Sequence, residues 1–179
     1  MLHYDPNTYA TNPGGVSLSR RKLREIRKYL PFFSRLFIDD NTYEKLDQWL
    51  RLGATNPAIV KSLNPLIISA YAEDVDAVVF LKFPDELAKI YGLEVGTRLV
   101  TSNIFYKWEP KDVIPGEYST QAYSDFTPVV QLFLSDDHIK IIKRPETIPE
   151  KMWDRLIFLT KEKETKYPKM KPRNGFYYI

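Results

Sequence analysis

Three carboxylates crowd into four residues at Glu73-Asp74-Val75-Asp76, and a second acidic pair, Asp136-Asp137, precedes His138. Clustered carboxylates are the raw material of a hard-cation site, or of acid and base work when two converge in space. A calcium loop, however, needs further oxygen ligands at fixed spacing, and none follows residue 76. The plainer reading of the first is therefore a solvated turn, and the second consists of residues that turns prefer.

Other chemistry is poorly supplied. The only histidines are His3 and His138, too few for a histidine triad or a multi-histidine metal site, and the absence of cysteine removes disulfides, thiolate zinc sites and cysteine nucleophiles. No G-x-S-x-G elbow, P-loop or dinucleotide fingerprint occurs, and Gly14-Gly15 stands alone. No cofactor or metal is expected. Acid/base hydrolysis by a carboxylate pair is the one catalytic option, ranked behind recognition.

Recognition has two candidate surfaces. Residues 109 to 128 hold three prolines, one glycine and no apolar period, and so predict a loop of a length that often serves binding. Within it Tyr118, Tyr123 and Phe126, with Glu117 and Asp125 beside them, form the candidate protein-binding set; the plainer alternative is that the rings staple the loop to the body. Between residues 19 and 28 six basic groups stand against Glu25 alone, and between 161 and 173 six stand against Glu162 and Glu164, which leaves the middle of the chain acidic within a net charge of +3. Arg20, Arg21, Arg24, Arg27 and Lys28 are therefore the candidate nucleic-acid contacts, unless they form an ordinary solvated face.

The elements that must position these residues follow from periodicity. Leu66 to Phe83 is the most apolar and β-branched stretch: 77–83 reads as a buried central strand, 66–72 as its less certain strand partner, and 73–76 as a four-residue loop. Leu23, Ile26, Leu30, Phe33 and Phe37 mark a helix opening at Ser17 or Ser19 and interrupted at Pro31. A second helix is expected over 42–52, and Asn56-Pro57 reads as the start of a short third one to Ser62, completing a helical layer. Pro84-Asp85-Glu86 opens a helix that Gly92 closes; 98–108 reads as a strand. Residues 127–135 and 139–143 alternate as a hairpin. Thr147 and Glu150 announce a last helix with Met152, Trp153, Leu156, Ile157 and Leu159 buried, and the apolar end Phe176-Tyr177-Tyr178-Ile179 is expected to dock on the sheet or a partner.

Residues 78–100 combine a strand, Pro84, a short helix, Gly92-Leu93, Gly96 and a second strand, and in this resemble the swapped-hairpin, AbrB-like transcription-factor domains. That resemblance implies paired strands and DNA contact, although Asp74, Asp76 and Glu94 stand where the family pattern has basic residues.

Segregated helices and strands predict an α+β fold: a mainly antiparallel sheet of about five strands, an N-terminal helical layer and a C-terminal helix. Residues 1–16 read as a flexible arm and 17–179 as a single domain. No signal-like or membrane-length apolar run occurs, so a soluble, cytoplasmic protein with no membrane partner is the default. The leading functional expectation is a non-catalytic protein binder of inhibitor, immunity or adaptor type, followed by a nucleic-acid binder.

Overall fold

Every residue from Leu66 to Ala72 is buried, which strand packing on both faces requires and which settles that segment as a strand. The computed structural model describes residues 10–30, 39–108 and 110–179. In chain order the elements are α1 (Arg20–Arg27), α2 (Asp40–Leu52), β1 (Ala54–Leu63), β2 (Leu66–Ala72), β3 (Ala77–Phe83), α3 (Glu86–Ile90), β4 (Arg98–Tyr106), β5 (Asp125–Val130), α4 (Gln131–Leu134), α5 (His138–Thr147), α6 (Glu150–Lys166) and β6 (Arg173–Asn174). The fold is α+β. Its curled six-stranded sheet runs β5-β4-β1-β2-β3-β6, antiparallel except where β6 joins β3.

Period-two alternation divides the interior. Leu66, Ile68, Ala70 and Ala72 of β2, with Ala77, Val79, Leu81 and Phe83 of β3, face the larger core shared with α1, α2, α4 and Phe176. Tyr71, Val78 and Val100 face the other way onto Met152, Trp153, Leu156 and Leu159 of α6, and Ile59 and Phe80 pack against them. Burial of each large apolar side chain stabilises the fold by about 1.5–3 kcal/mol, and the two clusters lock the sheet between its covers. Ile157, expected among the buried side chains, is only partly covered.

β3 is not central. It lies between β2 and the two-residue β6, next to last in the sheet, and its two-sided burial comes from α6 on one face and the core on the other. The docked C-terminus covers what would be an open edge, a place where strands otherwise invite unwanted pairing. β3 and β4 do not pair with each other, so the strands of the AbrB-like resemblance are separated by β1 and β2.

The short helix expected from Asn56-Pro57 is instead the middle of β1. Asn-Pro serves equally as a helix start and as extended chain. Pro57 pairs with Val100 of β4, whereas the β2 ladder begins only at Ala58, so the missing N–H falls where β1 has one strand neighbour. The hairpin expected over 127–143 is also replaced. β5 ends at Val130, α4 follows, and Asp137 caps α5 by accepting from the Lys140 N–H. Of its isoleucines only Ile141 is buried; Ile139 and Ile142 are 71% and 72% exposed, a helical arrangement that mimics alternation over three residues.

Other bounds match in part: the strand expected over 98–108 ends at Tyr106, and Thr147 is the last residue of α5, its hydroxyl donating to the Arg144 carbonyl, so α6 starts behind Pro149 with no side-chain cap. Ser19 caps α1, and Asp39 caps α2, which begins two residues before the expected position 42. Phe33 and Phe37 lie outside the described residues, as do residues 1–9 of the expected arm. Residues 13–16 are tied down: the Gly14 and Gly15 amides donate to Gly53 and Arg51 carbonyls, Pro13 bridges Ala54, and Val16 is buried.

Candidate functional site

Because β1 runs antiparallel to both neighbours, its first residues lie beside the last residues of β2 and β4. There the sheet opens into a cleft of about 1390 Å³. Asn56, Tyr71, Asn103 and Phe105 belong to its strand floor; Met152 and Arg155 of α6 wall one side, and Tyr118, Thr120 and Tyr123 of the 110–124 loop wall another. Residues 10–12 complete the rim.

Two amides from different strands fix the end of β2. Asn103 Nδ2 donates to the Tyr71 carbonyl at 2.8 Å, and Asn56 Oδ1 accepts from the Glu73 N–H at 3.0 Å. Asn103 is 1% exposed, and its Oδ1 has no hydrogen-bonding partner among the described residues. A buried acceptor left unpaired carries a desolvation cost of about 1–3 kcal/mol, so each such atom asks for an explanation.

The acidic turn that follows is buried in its second half, while Glu73 is exposed and Asp74 half-buried. Val75 and Asp76 are both 0% exposed, and Asp76 holds φ at 48°, a left-handed conformation that aspartate tolerates better than most residues. Arg155 donates from Nε and Nη2 to the two Asp76 carboxylate oxygens at 2.9 and 2.6 Å. The Tyr71 hydroxyl and the Tyr118 N–H donate to the same carboxylate at 3.1 and 3.0 Å. Burial pushes the Asp76 carboxyl up, but the Arg155 bonds, the Tyr118 amide and the Tyr71 hydroxyl outweigh it and hold it below the usual range. The Tyr71 phenol is pushed well above its ordinary value, first by burial and then by the Asp76 charge.

The loop rests on this turn. Gly116 and Tyr118 amides reach the Asp76 carbonyl and carboxylate, while the Thr120 amide and hydroxyl reach the Asp74 carbonyl at 3.0 and 2.8 Å. A Cβ at Gly116 would stand 2.2 Å from Asp76 Oδ2, so only glycine allows this approach. Asp74 itself lines the cleft, and burial raises its carboxyl above the ordinary value.

The structure divides the five candidate loop residues. Tyr118, 68% exposed, stands at the cleft rim with the Arg155 guanidinium 4.6 Å from its ring centre, and Glu117 is exposed 3.5 Å from Arg155. Tyr123 stacks on Phe105 with centroids 5.0 Å apart and lines the cleft. Phe126 and Asp125 are interior: Phe126 belongs to the larger core, and Asp125 accepts from Arg173 at 2.8 Å and from the Trp108 indole. Phe126 and Asp125 both belong to β5, so the loop ends at Ser124 and not at the expected residue 128; of its own rings, Tyr123 staples it to Phe105 and lines the cleft, and Tyr118 stands at the rim.

On α1, Arg20 lies 4.2 Å from the Tyr43 ring centre, Arg21 pairs with Glu25 and Asp136 at 2.7 and 2.6 Å, and Arg24 donates to the Arg20 carbonyl. Lys28 sits over Tyr29, and Arg27 closes the helix. The Asp136-Asp137 turn serves α1 and α5 in these ways, and no group of three metal-ligating side chains is found among the described residues.

Asn56, Tyr71, Asn103 and Arg155 were not legible as site residues, because four separate elements bring them together with no sequence spacing in common. Tyr118, Tyr123 and Asp74 were visible as types, the first two as loop aromatics and the third in the acidic run. No family model, curated protein or solved structure matches the chain. No helix among the described residues is long and apolar enough to cross a membrane.

Proposed function

We propose that the protein acts by recognition, receiving a segment of another protein in the cleft beneath the 110–124 loop. The observation that carries this reading is the cleft itself: about 1390 Å³, with stacked and exposed rings facing amide and carboxylate acceptors. Pockets for single small ligands run to about 300–1,000 Å³, so this volume suits a length of chain. Rigid aromatic anchors such as Tyr118, already braced by Arg155, are the side chains that carry most binding energy at interfaces. An inhibitor, immunity or adaptor role falls within this reading.

Affinity capture with the protein and with the paired variant Tyr118→Ala, Tyr123→Ala tests it. The reading expects a partner retained by the former and lost by the latter, with circular dichroism unchanged. Equal capture by both would count against it.

One observation favours a second reading. Asp74 combines position in a cleft with a carboxyl raised by burial, the signature of a general acid, and Glu73 lines the same cleft. Turnover of a glycoside or ester panel, abolished in Asp74→Asn, would establish hydrolysis instead. Nucleic-acid binding through α1 has less support, since Arg20 and Arg21 are engaged within the protein.

A further inference from the structure

Seven described carboxylates are shielded from full exposure: Asp47, Asp74, Asp76, Asp112, Asp125, Asp137 and Glu162. Six of them stand within ion-pair distance of a lysine or arginine of the protein. Among the described residues Asp74 is the exception, and it is the one that lines the cleft. Removing a carboxylate from water is unfavourable unless a cation or several donors replace the lost hydration. Burial accordingly raises the Asp74 carboxyl.

Asn103 of β4 fixes the end of β2 behind this carboxylate. Asn103 Nδ2 is committed to the Tyr71 carbonyl, three residues before Asp74, which fixes the amide and leaves Oδ1 as an unpaired acceptor on a cleft-lining residue. The walls are the rings of Phe105, Tyr118 and Tyr123, and Tyr118 already carries one guanidinium, that of Arg155. Lys107 and Lys151, the other cations of the lining, are exposed. The carboxylate and the aromatic faces together form a receptor for a planar cation, which donates several hydrogen bonds in a fork and stacks on rings.

We propose that the anchor received by this cleft is a basic side chain of the partner protein, arginine before lysine, seated on Asp74 between the loop tyrosines. This rests on the reading of the cleft as a recognition site and specifies what it recognises. Arginine is preferred because its guanidinium can meet both oxygens of one carboxylate while stacking on a ring, whereas an ammonium is a compact, strongly hydrated charge.

The test is a titration of the full chain with N-acetyl-arginine amide and, separately, with N-acetyl-citrulline amide, which has nearly the same shape and no charge. Nuclear magnetic resonance reads both. The arginine compound should shift the Tyr71, Asp74 and Asn103 signals, the citrulline compound should bind at least tenfold more weakly, and Asp74→Asn should remove most of that difference. Equal shifts with the two compounds, or undiminished preference in Asp74→Asn, would overturn the proposal. Capture of the partner separates the two levels of the account. Loss with Tyr118→Ala, Tyr123→Ala but full retention with Asp74→Asn overturns the basic anchor and leaves the recognition cleft standing, while retention by both overturns the cleft as well.

Discussion

Arg155 reaches from α6 across the cleft wall to Asp76 in the β2–β3 turn and meets both carboxylate oxygens, at 2.9 and 2.6 Å. This pair ties three things that are far apart in sequence: the helix that covers one sheet face, the end of the β2–β3 hairpin, and the loop whose Tyr118 amide joins the same carboxylate.

Removing one member of a buried pair strands the other, so Asp76→Ala should lower unfolding stability by about 3–5 kcal/mol in urea titration. The same carboxyl sets an acid limit. Its folded pKa lies below the ordinary 3.8, so its contribution is fully present above about pH 5 and is lost as pH falls through the lower folded value. Asp112, depressed in the same direction despite its burial because Arg173 pairs with it, adds to that window. Stability measured from pH 5 to pH 2 should fall less steeply in Asp76→Ala than in the natural sequence.

Gly116→Ala should lift the loop from its seat, because the new methyl would meet the Asp76 carboxylate at 2.2 Å and its carbonyl at 2.5 Å. Overpacking of this kind costs about 1–3 kcal/mol. Limited proteolysis between residues 110 and 124 should accelerate, with the sheet core still protected.

How legible the fold was depended on whether a local signal had one structural meaning. The β2–β3 hairpin was readable from Ile67, Ile68, Val78 and Val79 with a four-residue turn between, and α6 from its apolar side chains. β1 was not, since Asn56-Pro57 begins helices and strands alike, and only the β4 pairing decides between them. α5 was misread because Ile139 and Ile141 alternate over too few residues to distinguish periods. At the site, the acidic turn drew notice, but burial of Asp76 depends on Arg155, which lies 79 residues along the chain.

The C-terminus closes the curl of the sheet through Arg173, which bonds the Asp112 carboxylate, Asp125 Oδ1 at 2.8 Å and the Phe126 carbonyl at 3.0 Å. Lysine keeps the charge but cannot make that fork. Arg173→Lys should therefore cost about 1.5–3 kcal/mol, and hydrogen exchange should speed up at Gly175, whose amide donates to Lys82.

Lys163 is buried with its ammonium on the Val78 and Asp112 carbonyls, and burial pulls its pKa down to about 8. Between about pH 8 and its ordinary 10.5 the unfolded chain holds a proton that the folded protein lacks, so this group's contribution to stability rises with pH across that window. A carbon-detected titration of the lysine side chains should show one of them, assigned by its loss in Lys163→Met, titrating near 8 ahead of the rest.

The central claim, that recognition takes place in the cleft, is tested most directly by hydrogen exchange of the protein alone and with its captured partner. The account predicts that protection gained on binding concentrates at residues 71–74, 103–106 and 118–123. Protection confined to α1, or spread with no increase at those three segments, would contradict it.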